Sequence, residues 1–251
     1  MKPSDISMLV VDDEQMILET ISALFSGFGF YVDCASSGNI AWEMVVKNKY
    51  NVVFSDIRMP DGDGVELVKR IKSTYGSQIS VLFMSGFSDL QNEEIYHIGA
   101  EGKFSKPFNT NAVRSAIEQT LMVPYARWNS SAFVADPKSI IIEKKGEDVK
   151  SLKAQKAVDF GRGGFFIAHN YAPPPKGSMI KFSIQIASPT PVLFQGYGIV
   201  RWIQVAGRST APPGLGVEII QMDPLAAKKY TELFKDENAF IPSFAYAAMK
   251  G

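Results

Sequence analysis

Five short apolar runs, each followed by a segment with helical spacing, fill the first 122 residues of this 251-residue chain. That alternation constrains the fold more than any other feature. The runs are Ile6–Val11, Phe30–Ala35, Val52–Phe54, Ile79–Met84 and Gly102–Ser105. Between them, Glu14–Phe25 carries Ile17, Leu18, Ile21, Leu24 and Phe25 at helical spacing, and Gly27 and Gly29 end it. Ile40–Val46, Val65–Ile71, Asp89–Ile98 and Thr110–Leu121 are expected to be the other helices. A strand–helix alternation of this length predicts an α/β doubly wound, five-stranded parallel sheet with helices on both faces. In such folds ligands gather beyond the carboxyl ends of the strands.

The pattern changes at Val123-Pro124-Tyr125. The expected organisation is a first domain over 5–122, a second over 126–236, and over 237–251 a C-terminal tail, of which Phe240–Gly251 is either a tail or a segment that docks elsewhere. The second half is rich in strand patterns: Ile140–Glu143, Phe165–Ala168, Met179–Ile186, Val192–Val205 and Leu215–Ile220. Ile180, Phe182, Ile184 and Ile186 alternate, as half-buried antiparallel strands do. Ala172–Gly177 and Ala211–Gly214 hold the prolines and glycines of connections. Asp223-Pro224 supplies a cap and a first helical position for a helix through Leu225, Tyr230, Leu233 and Phe234. The second domain is therefore expected to be a small, mostly β, barrel-like fold with a C-terminal helix.

Composition narrows the function classes. Lysine and arginine number 26 against 26 aspartates and glutamates, so no global charge points to nucleic acid or an anionic membrane. No run of 18 apolar residues exists, which argues against membrane insertion, and the first residues lack a signal-peptide pattern. A cytoplasmic location is the expectation. The one cysteine, Cys34, has no internal disulfide partner and is expected to be a strand residue facing the core.

Chemistry concentrates at the predicted strand ends of the first domain. Asp12 and Asp13 follow the first strand, Asp56 the third, Ser85 closes the fourth, and Lys106 follows the fifth. Carboxylates crowded at one edge repel and need a cation. Mg²⁺ suits them, since it binds one or two carboxylates and keeps waters and phosphate oxygens in its shell. A lysine and a hydroxyl nearby can hold phosphate oxygens. The set suits phosphoryl transfer to a carboxylate. Asp61-Gly62-Asp63-Gly64 lacks the other ligands of a calcium loop and is expected to be a turn.

Val10-Val11-Asp12-Asp13-Glu14, Ser55-Asp56-Ile57-Arg58-Met59-Pro60-Asp61, Met84-Ser85-Gly86 and Ser105-Lys106-Pro107-Phe108 stand in this order along about 118 residues. Together they resemble the marker segments of the response-regulator receiver family. The resemblance implies a flavodoxin-like fold and a bacterial two-component system. Asp56 would be the phosphoacceptor, with Asp13, Asp56 and the Arg58 carbonyl binding the metal directly and Asp12 acting through water. Ser85 would be the switch hydroxyl and Lys106 the phosphate-binding lysine. The family usually carries an aromatic residue where this chain has Lys103, whereas Phe104 is expected to face the core.

Val158-Asp159-Phe160-Gly161-Arg162-Gly163-Gly164-Phe165 is a glycine-rich turn between strands, with glycines for positive φ or close approach. It is similar to a motif of PilZ domains, as Gly196–Trp202 and Pro213–Glu218 are to that family's later strands. That resemblance, over roughly 126–236, implies cyclic diguanylate as a ligand. Here Gly161 replaces the motif's serine and no Arg-x-x-x-Arg precedes it, which argues that the ligand is lost. Arg127, Asp159 and Arg162 are the candidates if it is not. Lys144, Lys145, Lys150, Lys153 and Lys156 are expected to form a solvated segment rather than a nucleotide grip.

The leading expectation is a two-component response regulator, not an enzyme. A sensor histidine kinase or phosphotransfer protein would phosphorylate Asp56. That would bias a face around Asp89–Asn109 and switch contact with an output protein of unknown identity; a second copy of the chain is a further candidate partner. A rival expectation is a cyclic-diguanylate sensor whose affinity phosphorylation tunes. A third is a phosphatase-like enzyme with Asp56 as its nucleophile.

Overall fold

The structure, a computed structural model, describes residues 2–86, 90–122, 126, 128, 140–205 and 212–243. The expected boundary at 123–125 and candidate Arg127 lie outside these residues. Contacts divide the chain into two compact units, residues 1–91 with 98–122, and residues 92–97 with 123–251.

The first unit holds a five-stranded parallel sheet in the order β2-β1-β3-β4-β5, a flavodoxin-like arrangement. Its strands are β1 (Ser7–Val11), β2 (Tyr31–Ala35), β3 (Val52–Asp56), β4 (Ser80–Ser85) and β5 (Gly102–Ser105). All of β3 and β4 is buried, as expected of central strands covered on both faces. Helices α1 (Gln15–Gly27), α2 (Gly38–Lys47), α3 (Gly64–Tyr75) and α5 (Thr110–Thr120) belong to this unit. Side-chain caps start three of them: Ser37 accepts from the Ile40 amide, Asp63 from Glu66 and Asn109 from Ala112. One core cluster joins Phe25 of α1, Phe54 of β3, Leu82 of β4 and Val113 of α5. Phe104 packs against it as expected, 6.3 Å from the Phe54 ring. Cys34 is only partly buried, its thiol pushed up chiefly by burial.

The fourth helix is shorter than its pattern suggests. Helix α4 spans Asn92–His97 and groups by contacts with the second unit.

The second unit is built on one curled six-stranded sheet, order β6-β9-β10-β11-β8-β7. The strands are β6 (Ile140–Gly146), β7 (Val158–Phe160), β8 (Gly164–Ala168), β9 (Met179–Ile186), β10 (Val192–Gln204) and β11 (Gly214–Met222). Among the described residues the sheet is open, a half-barrel within the expected mostly β, barrel-like class, with β6 and β7 as its edges. All pairings are antiparallel except β6 with β9, which is parallel. Helix α6 (Val149–Ala154) was not legible among the lysines; Asp148 and Ser151 cap it reciprocally. Helix α7 (Pro224–Phe234) begins as expected, with Asp223 accepting from the Leu225 and Ala226 amides. Its Tyr230 and Phe234 fill the hollow of the sheet beside Phe160 and Phe194. Beyond it, residues 239–243 are buried, which fits the docked alternative for this segment.

Candidate functional site

The carboxyl end of the parallel sheet collects the predicted residues. Central strand β3 ends at Asp56, flanked by β1 on one side and β4 on the other. The strand order reverses between β1 and β3, and the crevice there is where a doubly wound sheet takes its ligands. Asp12 follows β1 and is 1% exposed; Asp56 is 9% exposed.

Lys106 joins them. Its Nζ donates to Asp12 Oδ2 at 2.7 Å and to Asp56 Oδ1 at 2.8 Å. The remaining oxygens are engaged by backbone: Asp12 Oδ1 accepts from the Glu14 amide at 2.9 Å, at the start of α1. Asp56 Oδ2 accepts from the Arg58 amide at 2.8 Å. Each carboxylate is thus held at both oxygens, which fixes its plane. Burial works against the Lys106 charge, but hydrogen bonds and attraction from Asp12 and Asp56 prevail and raise its pKa.

Lys106 reaches this point because its amide donates to the Ser85 carbonyl at 2.7 Å, tying the end of β5 to that of β4. The Ser85 residue is buried at the same sheet edge. Below Asp56, the Ser55 hydroxyl donates to the Asp56 carbonyl at 2.7 Å. Gly64, at the start of α3, packs so closely that a Cβ there would overlap the Asp56 carbonyl oxygen. Asp13 and Arg58 stand at the same strand ends and are exposed.

The oxygen-rich donor set fits a hard dication. Two carboxylates already converge on one ammonium, so the pocket is built to neutralise a positive charge. Among the described residues no group of three or more histidine, cysteine, aspartate or glutamate side chains is arranged as a metal cage. The expected shell relies on fewer: Asp13, Asp56 and the Arg58 carbonyl, with water and phosphate completing it.

Lys103, at the family's aromatic position, donates to the Leu90 carbonyl at 3.2 Å, which anchors the chain just before α4. Sequence reasoning also missed the buried pair of Lys72 and Glu101. Lys72 Nζ donates to Glu101 Oε1 at 2.8 Å and to the Ile79 carbonyl at 2.7 Å. Glu101 Oε2 accepts from the Val81 amide at 2.7 Å. No pattern marks the pair, because 29 residues separate its members.

In the second unit the glycine-turn candidates are engaged internally. Asp159 accepts from Lys153 at 3.0 Å and from the Phe160 amide at 3.0 Å, while burial pushes its carboxyl up. The Arg162 guanidinium lies over the Phe240 ring, 5.8 Å from its centroid. The adjoining cleft of about 260 Å³ is lined by His97, Lys153, Asp159, Asp236 and Glu237, among others. Three carboxylates against one lysine make it unfavourable for a phosphodiester anion. The glycines serve close approach, since none of Gly161, Gly163 and Gly164 has a positive φ.

A model of the family described as the response regulator receiver domain matches residues 8–118. Sporulation initiation phosphotransferase F of Bacillus subtilis is 30% identical over 115 residues, covering 45% of this chain and 92% of that protein. Response regulator protein TodT of Pseudomonas putida is 30% identical over 123 residues, covering 48% of this chain and 54% of that one. Transcriptional regulatory protein ZraR of Escherichia coli is 32% identical over 122 residues, 48% of this chain and 27% of that one. The chain thus spans about half the length of TodT.

Proposed function

Because the chain belongs to the response-regulator receiver family through its first unit, we propose that it is a two-component response regulator phosphorylated on Asp56. The observation that carries this reading is the convergence of Asp12 and Asp56 on the Lys106 ammonium at the sheet's switch point.

The donor is a phosphohistidine of a sensor kinase or phosphotransfer protein. One Asp56 carboxylate oxygen attacks phosphorus, the P–N bond breaks, and the imidazole nitrogen keeps the electron pair and takes up a proton. The product is an acyl phosphate. The Arg58 amide holds the carboxylate plane during attack. Lys106 exchanges part of its bond to Asp56 for a phosphate oxygen, and the Ser85 hydroxyl donates to another. Asp13, Asp56 and the Arg58 carbonyl would hold Mg²⁺, with Asp12 assisting through water, and the cation would supply positive charge to offset that on the phosphoryl oxygens.

The acyl phosphate adds about 1.5–2 negative charges beside Lys106. Lys106 and Ser85 bracket the chain segment that contains α4, and Lys103 fastens its approach at Leu90. Within the second unit Tyr96 of α4 stacks on Trp202, centroids 5.8 Å apart. A change at the phosphorylation site therefore has a short covalent route to this packing, which supports output through protein–protein contact. The second unit, for all its PilZ-like motifs, is proposed not to take cyclic diguanylate, since Asp159 and Arg162 are committed elsewhere.

Two measurements test the reading. Pull-down from the native cell with wild type and Asp56→Asn should capture an output protein with only one form. Calorimetric titration with cyclic diguanylate should give no heat of binding; micromolar or tighter affinity would transfer the function to nucleotide sensing.

A further inference from the structure

Residues 239–243 lie in the second unit like a bound peptide. The Arg162 amide donates to the Ala239 carbonyl at 3.0 Å, and the Gly163 amide to the Phe240 carbonyl at 2.9 Å. From the other side the Phe240 amide donates to the Tyr96 carbonyl of α4 at 2.9 Å. The Ser243 amide donates to His97 Nδ1 at 3.0 Å. Phe240 stacks on Tyr96, centroids 6.1 Å apart, with Arg162 across its face. The Phe240 ring rests where Gly163 has no side chain, and a Cβ there would overlap it. Ile241 is 0% exposed in the same cluster.

The receptor half of this arrangement is shaped without the segment. The Gly161 amide donates to the Gly164 carbonyl at 2.8 Å, closing the turn. The Tyr230 hydroxyl, fixed in the core, reaches the Gly161 and Gly164 carbonyls at 3.0 and 2.8 Å. Removing residues 239–243 would leave a preformed turn with two backbone donors, a slot over Gly163 and an aromatic wall. Among the described residues, the Trp202 indole N–H beside this segment is buried without a hydrogen-bond partner. The linker over residues 235–238 is exposed and is held by few bonds, among them Arg162 Nη2 donating to the Asn238 carbonyl at 3.5 Å and the Glu237 amide to the Phe234 carbonyl at 3.2 Å.

We propose that the glycine turn and α4 form a docking groove for an extended partner peptide of small–aromatic–aliphatic–proline character, with Ala239-Phe240-Ile241-Pro242-Ser243 as its resident cis competitor. Main-chain bonds give the groove affinity and the aromatic slot gives it selectivity, as in other extended-peptide sites. The cis segment taxes any external ligand by the fraction of time it occupies the groove.

The test uses the full chain and a fluorescent peptide of residues 238–243, followed by anisotropy. Phe240→Ala, which weakens the competitor, should bind the peptide about tenfold tighter than wild type. Adding Gly163→Ala should abolish that binding, whereas a peptide with alanine for its phenylalanine should not bind. If Phe240→Ala does not fold, Ser243→Pro, which deletes the donor to His97, takes its place with the same expected gain. Either folded variant failing to bind the peptide, while its Arg162 and Gly163 amides exchange faster with deuterium, would overturn the proposal. So would a wild-type dimer that swaps these segments, since the occupant would then be a second copy.

Discussion

Lys106 Nζ stands 2.8 Å from Asp56 Oδ1 and, in the same geometry, 2.7 Å from Asp12 Oδ2. One ammonium thus serves two carboxylates, one of them almost wholly buried. Replacing it by Lys106→Met leaves the pair without a counter-charge. The expected loss is about 1–3 kcal/mol, below the full cost of breaking a buried pair because the lysine is partly solvated. Magnesium should restore more stability to this variant than it adds to wild type. Equal melting-temperature gains in both proteins would show that the cation does not enter between the acids.

Gly64 tests how tightly the backbone beneath Asp56 is set. A Cβ there meets the Asp56 carbonyl and lies 2.9 Å from Ser55 Oγ. Gly64→Ala should cost about 1–3 kcal/mol by overpacking. It should also slow phosphorylation of Asp56 while the protein remains folded, which a urea curve and a phosphorylation time course together measure.

The Lys72–Glu101 pair is buried on both sides, with side chains 3% and 1% exposed. Glu101→Leu leaves the ammonium without its counter-charge, and about 3–5 kcal/mol should be lost in urea denaturation. The double variant Lys72→Met/Glu101→Leu should recover most of that loss. A double variant no better than the single would mean that the bonds to the Ile79 carbonyl and Val81 amide, not the charge, hold the site together.

Tyr50 offers a pH signature in the first unit. Burial, then its hydrogen bond to Asp33 at 2.7 Å and that carboxylate's charge, push its hydroxyl up to about 12. Above pH 10 the unfolded chain releases this proton while the folded chain keeps it. Stability is therefore complete below pH 10 and falls as pH rises towards 12, by up to about 3 kcal/mol. Tyr50→Phe should flatten that part of the stability profile relative to wild type.

Much of the first unit was legible because its signals are local. Periodicity placed the strands, and Asp12, Asp56, Ser85 and Lys106 each sit where a strand runs out, so topology alone brings them together. What escaped depends on distant partners. The Lys72–Glu101 bond crosses from α3 to the residue before β5, and neither residue's neighbours announce it. Helix α6 was hidden because its lysines carry a charge pattern suited equally to a solvated loop, and only the Asp148–Ser151 box distinguishes them. The parallel pairing of β6 with β9 follows from a long excursion that strand alternation does not encode. Residues 239–243 have no period because they pack as an extended segment, each residue answering a different neighbour.

Intact-mass spectrometry after incubation with acetyl phosphate and magnesium tests the phosphoacceptor most directly. The account predicts one added phosphoryl group on wild type, mapped to the peptide containing Asp56, and none on Asp56→Asn. An unshifted wild-type mass, or an equal shift in the variant, would contradict it.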